Sequence, residues 1–269
     1  MKIRHSAMII ALMISLTAVL LFIVGFGPAG VKHESAADGK EQVGMAAKQL
    51  EQLLKLGEKQ TDGRLDAVVK WQGAWDTRLT AEQAAEQLAE KLGLPLPKLE
   101  PVQGHNVFAS EGLMGRLVGK LSVTEVDGSL YVICRVNADG SDSAELLRVQ
   151  EKAGSVLLDN GVEAKWNASV QGLAPLSSED LQPSEDSTSS AGAVNRLSLM
   201  EKEAKELHAS AVDSFEDGTT VSRTYEVPSF GITTLIDGRK AGLQMGVHTD
   251  TVTGRQEVSI GSPMLTIEY

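Results

Sequence analysis

From Met8 to Phe26 the chain carries only apolar or small residues apart from Ser15 and Thr17, preceded by Lys2 and Arg4 and by no acidic residue. About 20 apolar residues suffice to cross a bilayer as a helix, so this run sets aside residues 1–27 as a membrane anchor or signal segment and leaves the folded body to be built from the rest. The apolar core of a cleaved signal usually spans about 7–15 residues, so the length of the run favours a retained anchor. The alternative is secretion after cleavage, for which Ser35-Ala36-Ala37 offers small residues downstream. Positive charge ahead of the run predicts an N-in orientation, with the body outside the cytoplasm and residues 8–26 in contact with the cytoplasmic membrane.

The formal charge of −11 includes +2 from Lys2 and Arg4, which leaves −13 on residues 28–269. Nucleic-acid binding draws most of its affinity from basic side chains meeting phosphates, and no basic cluster stands in the linear sequence, so a nucleic-acid partner is not expected. The single cysteine, Cys134, rules out an intrachain disulfide, so stability has to come from packing. With aromatics at 4 %, two modest cores built on Leu, Val and Ala are expected.

Local patterns divide the body. Residues 28–43 read as a polar spacer, after which Ala46, Leu50, Leu53, Leu54 and Gly57 share one helical face. Leu65, Ala67, Val69, Trp71, Gly73 and Trp75 share one strand parity. Thr80 and Gln83 have capping-box spacing before a helix that Gly93 stops. The segment from Pro95 to Gly112 shows no clear period. A two-residue turn at Asp127-Gly128 would pair Leu121 with Cys134 and place Leu121 and Val123 with Val132, Cys134 and Val136 on an apolar face. Lys120, Ser122 and Thr124 then share the opposite face with Tyr131, Ile133 and Arg135.

Ser141 to Ser143 caps a helix running to Asp159, and the alternation from Val162 to Gln171 is the cleanest strand signal in the chain. Residues 173–192 form an acidic Ser/Pro linker. Beyond it Asn195 opens a helix with Leu197, Met200, Ala204, Leu207 and Ala211 on one stripe, followed by short strands. A two-residue turn at Thr253-Gly254 would set Val247 against Ile260 and Thr249 against Val258. The expected fold class is α+β, with antiparallel sheets packed against helices in two subdomains, 44–172 and 193–269. No repeated motif proves a duplication, and whether the C-terminal strands join the first sheet is left open.

The residues from Lys70 to Trp75, Glu111-Gly112 with Gly119 to Ser122, Asp237 to Lys240, Leu243 to Val247, and above all Ile260 to Tyr269 form a distinctive pattern. With them the chain resembles the YwmB family of Gram-positive spore-forming bacteria over most of residues 45–269. The resemblance implies an exported or membrane-anchored α+β protein similar in fold to the TATA-box-binding protein, with no established activity. Fold likeness does not carry function, and the acidic body and export segment both oppose a DNA-binding reading.

The sequence holds none of the common metalloprotease, hydrolase-elbow, paired-cysteine or phosphate-loop signatures. It nominates no catalytic residue, metal ligand or cofactor-binding residue, and no cofactor is expected. The five histidines stand at no metal-ligand spacing. His248 is the one singled out, because strand parity sets it on a polar face with Asp250, and pairing brings Glu257 and Ser259 beside it. Such a face is also what the solvated side of any antiparallel sheet looks like. Trp75, at a strand end, is a second surface candidate. Cys134 reads as a small buried hydrophobe.

These features point to a non-enzymatic, membrane-tethered interaction module of the cell envelope, with an envelope protein or cell-wall polymer as partner. A wall-acting hydrolase with dispersed carboxylates is the alternative, and DNA binding is a remote one.

Overall fold

The computed structural model describes residues 36–139, 142–176 and 191–265. The protein is α+β: one large antiparallel sheet packed against four helices. The helices are α1 (Ala36–Gln60), α2 (Ala81–Leu92), α3 (Ser143–Asp159) and α4 (Ala191–Glu203), the last followed by a 3₁₀ turn, Ala204–Leu207. The strands are β1 (Asp66–Trp75), β2 (Lys98–Val102), β3 (His105–Met114), β4 (Leu117–Val126), β5 (Ser129–Asp139) and β6 (Lys165–Leu173) in the first half. In the second they are β7 (Ser210–Glu216), β8 (Thr220–Glu226), β9 (Thr234–Ile236), β10 (Arg239–Ala241), β11 (Leu243–Thr249) and β12 (Gln256–Ser262).

Ten strands form one sheet in the order β2-β3-β4-β5-β1-β6-β12-β11-β8-β7, while β9 and β10 make a separate two-stranded ribbon. Read outward from the β1–β6 pair, the strand sets β1–β5 and β6–β12 follow one plan. The first strand of each set sits at the centre with a helix after it in the chain, its last strand lies beside it, and the edge strand is the one after that helix. The C-terminal strands therefore extend the first sheet, joined through β6–β12, and one continuous core replaces the two that composition led us to expect.

Most local expectations hold. The capping box closes α2, with Gln83 N–H donating to Thr80 Oγ1 at 3.2 Å and Thr80 N–H to Gln83 Oε1 at 3.1 Å, and Gly93 ends the helix at φ 80. The β4–β5 hairpin has Leu121 directly opposite Cys134. Five features differ. Helix α1 begins at Ala36, inside the stretch read as a spacer, and α4 begins at Ala191, four residues ahead of Asn195. Ala211 leaves the expected helical stripe because the chain is already extended in β7. Pro95–Gly112 is ordered as β2 and β3, whose turn at Gln103-Gly104 takes positive φ at both residues. The β11–β12 register is shifted by two, Val247 facing Val258 and Thr249 facing Gln256. A longer loop, in which the Asp250 carboxylate accepts the N–H groups of Val252 and Thr253, replaces the two-residue turn, and a shift of two leaves each side chain on its expected face.

All four helices pack on one side of the sheet, α1 on β6 and β12, α2 on β3 and β4, α3 on β1 and β5, and α4 on β8 and β11. Trp71 and Trp166 stand directly opposite one another on that side, both buried. The Trp71 indole N–H donates to the Gln150 carbonyl at 3.1 Å, and Gly154 lets α3 close onto the ring, since a Cβ there would stand 2.5 Å from Trp71 Cζ2. The other side of the sheet carries no helix among the described residues. The apolar run at 8–26 and most of the acidic linker lie outside the described residues, and no described helix is long and apolar enough to cross a membrane.

Candidate functional surface

Because every strand of the sheet alternates its side chains, the helix-free face can be read row by row from the strand registers. One row runs Glu111, Lys120, Arg135, Lys70, Asn167 across β3, β4, β5, β1 and β6, each side chain directly opposite the next. The row beside it runs Ala109, Ser122, Ile133, Gln72, Lys165. The first half of the open face thus gathers Lys70, Lys120, Arg135 and Lys165, which are scattered through the sequence. The statement that the chain has no basic cluster holds along the sequence and fails in three dimensions.

The pairing is also specific in detail. Arg135 Nε donates to Asn137 Oδ1 at 2.9 Å, and the Lys120 ammonium lies 3.5 Å from a carboxylate oxygen of Glu100 on the edge strand β2. Tyr131 stands on the same face, and burial raises its phenol above the usual range.

Part of the second half of the face is covered by the chain itself. After β12, Pro263 to Leu265 fold back over the sheet: Asn167 Nδ2 donates to the Met264 carbonyl at 2.9 Å, and Leu265 N–H donates to Gln244 Oε1 at 3.0 Å. Leu265 rests on Gly261 and Gly246, where a Cβ would stand 2.8 and 3.4 Å from it. Ser259 and Ser169 are buried on this face in consequence.

His248 and Glu257 stand directly opposite one another on β11 and β12, as parity required, while the observed register moves Ser259 opposite Gly246. His248 Nδ1 is 2.9 Å from Thr220 Oγ1, and Glu257 accepts from Gln171. Asp250 is held mainly by its own loop, with His248 near enough for its charge to act on the carboxyl. Its carboxyl is held below the ordinary carboxylate range, first by the Thr253 N–H and then by that of Val252, and Asp217 is lowered in the same way by Thr219 and Thr220. Both aspartates are thus committed to closing hairpin loops. Trp75 is buried at 4 % exposure, and its edge borders a shallow cavity of ≈ 280 Å³ between the β1–α2 loop and the β4–β5 turn. His208 occupies a left-handed position (φ 51) after the 3₁₀ turn.

A second cavity, of ≈ 220 Å³, lies beside α4, where Arg223 and Tyr225 both donate to Glu201 Oε1 at 2.7 Å. Burial, then the bond to Glu201, pushes the Tyr225 phenol up, and Glu201 is fully engaged in this packing arrangement. No group of three or more potential metal ligands occurs among the described residues.

No family model matches the chain, and no curated protein matches it. Among solved structures it is similar to the crystal structure of DynU16, a protein of the dynemicin biosynthetic locus, at 10 % identity and a TM-score of 0.21, covering 72 % of this chain and 86 % of that one. A likeness of that order carries no argument about function.

Proposed function

We propose that the protein is a non-enzymatic interaction module of the cell envelope, tethered by its N-terminal apolar run and docking its partner on the helix-free face of the sheet. The observation that carries this reading is the segregation of the four described helices to one side, which leaves a broad polar face on the other among the described residues. Exposed sheet faces with half-buried polar rows are surfaces for recognition, whereas scattered carboxylates engaged in loop closure and ion pairs are poorly placed for hydrolysis. The strand plan repeated about β1–β6 also supports the YwmB resemblance and its saddle-like, TATA-box-binding-protein-like reading, and the apolar run at 8–26 supports a location outside the cytoplasm.

Site-specific photocrosslinking in intact cells tests this. A photoreactive residue at Gln72, on the open face, is expected to capture an envelope component, and one at Glu151, on the solvent side of α3, is not. Absence of adducts from Gln72, or equal yields from both positions, would sink the proposal.

A further inference from the structure

The strap over the second half of the open face, residues 263–265, is attached to the sheet at a fixed point and held beyond it by two side chains. Ser262, the last residue of β12, is fully buried and doubly bonded, with Gln49 Nε2 donating to its Oγ at 2.8 Å and its Oγ donating to the Gly242 carbonyl at 2.7 Å. Past it, Pro263, Met264 and Leu265 are half-buried and belong to no strand. Strands β6 and β11 flank β12, and each sends an amide to the strap. Asn167 on β6 donates to the Met264 carbonyl at 2.9 Å, and Gln244 on β11 accepts the Leu265 N–H at 3.0 Å. The Leu265 side chain lies over Gly246, where an added Cβ would stand 3.4 Å from its Cδ1.

We infer that the strap is a self-ligand: on the docking face proposed above, and resting on that reading, it fills a groove for an extended peptide segment of the partner that carries a leucine-like side chain. The Met264 carbonyl and the Leu265 N–H belong to one peptide unit, whose two polar groups point in opposite directions. Amides on the strands either side of β12 meet both of them, which recognises a peptide backbone whatever its sequence, and the seat over Gly246 adds a preference for an aliphatic side chain. A polyol or polyphosphate chain contains no such unit. Asn167 also stands directly opposite Lys70 at the end of the first-half row, so a partner docked on that half continues into the groove once the strap lifts.

Displacing the strap leaves the sheet intact. Its release begins past Ser262, so β12 keeps its pairing with β6 and β11, and the side chains uncovered are the hydroxyls of Ser259 and Ser169, which water can satisfy. A segment with few buried apolar contacts, held by side-chain bonds alone, opens at the low end of a protein's range of local unfolding free energies. Because it is tethered at Ser262, the strap also competes at high effective concentration, which sets a threshold that an incoming peptide must exceed.

The test is fluorescence anisotropy of a labelled peptide with the chain's own sequence Ser-Pro-Met-Leu-Thr, titrated with the full chain in neutral detergent. A Leu265→Asp variant loses the aliphatic contact and is expected to bind the peptide at least about tenfold more tightly than wild type, because the tethered competitor is gone. Gly246→Val in that background removes the binding by filling the seat, and a peptide with Asp in place of Leu does not bind. Circular dichroism confirms that each variant is folded. Amide exchange in the wild-type protein provides the reading should Leu265→Asp fail to fold: the Leu265 amide is expected to exchange at least about tenfold faster than that of Ile260 within β12. Equal binding by wild type and Leu265→Asp, no binding by either, binding that survives Gly246→Val, or exchange at Leu265 as slow as at Ile260 would each overturn the assignment. If Gln72 crosslinks to an envelope component while the peptide binds neither protein, the groove assignment falls and the docking reading stands.

Discussion

Replacing Gln49 with Met tests how the second half of the molecule is held to the first. Gln49 lies on α1 at 2 % exposure, and its amide bridges two distant segments. Its Nε2 donates to the Ile232 carbonyl at 3.1 Å and to Ser262 Oγ at 2.8 Å, while its Oε1 accepts the Ile232 N–H at 2.7 Å. Met preserves the volume and removes all three bonds. Ser262 keeps an acceptor in the Gly242 carbonyl at 2.7 Å, so it is not orphaned, and Ile232 is half-buried, so water replaces part of what it loses. At about 1 kcal/mol net for each bond, the change costs about 2–3 kcal/mol. At about 2–4 °C per kcal/mol for a protein of this size, Tm falls by roughly 5–10 °C. Urea unfolding gives the free energy, and amide exchange gives its location: protection should drop first around Val227–Thr233 and at the end of β12. A Gln49→Met protein within 0.5 kcal/mol of wild type, or with unchanged exchange there, would refute the claim that this side chain couples α1 to the C-terminal strands.

Three further outcomes follow from local geometry. Thr80→Ala removes one side of the capping box on α2 and should cost about 1 kcal/mol in urea unfolding, with Thr80→Ser restoring most of it. Cys134 is buried and its thiol is pushed up to about 12 by desolvation, so a thiol reagent should label none of it in the native protein at pH 8 and one equivalent in denaturant. Asp217 and Asp250 have folded pKa values below their unfolded ones, so their contribution is complete above about pH 4 and is lost as pH falls through the depressed values. Exchange of the Thr219, Thr220, Val252 and Thr253 amides, corrected for intrinsic rates, should accelerate in that acid window, and Asp217→Asn and Asp250→Asn should flatten the dependence.

The elements that were legible in the sequence are those whose information is local. The Thr80 to Gln83 cap, the Asp127-Gly128 turn and the alternation ending at Val170 each lie within a few residues of the structure they specify. Helix α1 was shortened because Ala36–Val43 shows little apolar periodicity, and the Gln42 bond to the Ala164 carbonyl, which holds it to the sheet, is non-local. Strands β2 and β3 were hidden by Pro95, Pro97 and Pro101 and by an outer edge that leaves Leu99 and Leu113 exposed. The candidate site was half visible. The hairpin register already set Lys120 opposite Arg135, yet Lys70 joins them only through the β1–β5 pairing, across more than sixty residues of chain. Charge counted along the sequence could not find a row that exists only across strands.

The repeated strand plan sharpens where function belongs. The repeated plan presents two comparable half-faces, and they differ in how they are covered. In the second half, Gly246 and Gly261 leave a flat floor, and the chain lays Leu265 on it, burying Ser259 and Ser169 beneath. The corresponding first-half strands β4 and β5 carry long cationic side chains on that face, half-exposed and raised above the sheet. The strap covers part of one half-face and buries Ser259 and Ser169, whereas the other half-face sets Lys120, Arg135 and Lys70 side by side across three strands. The half-face on which long polar side chains stand half-exposed in paired rows is therefore the surface on which the docking reading rests, ahead of the His248–Glu257 pair on the half-face that the strap partly covers.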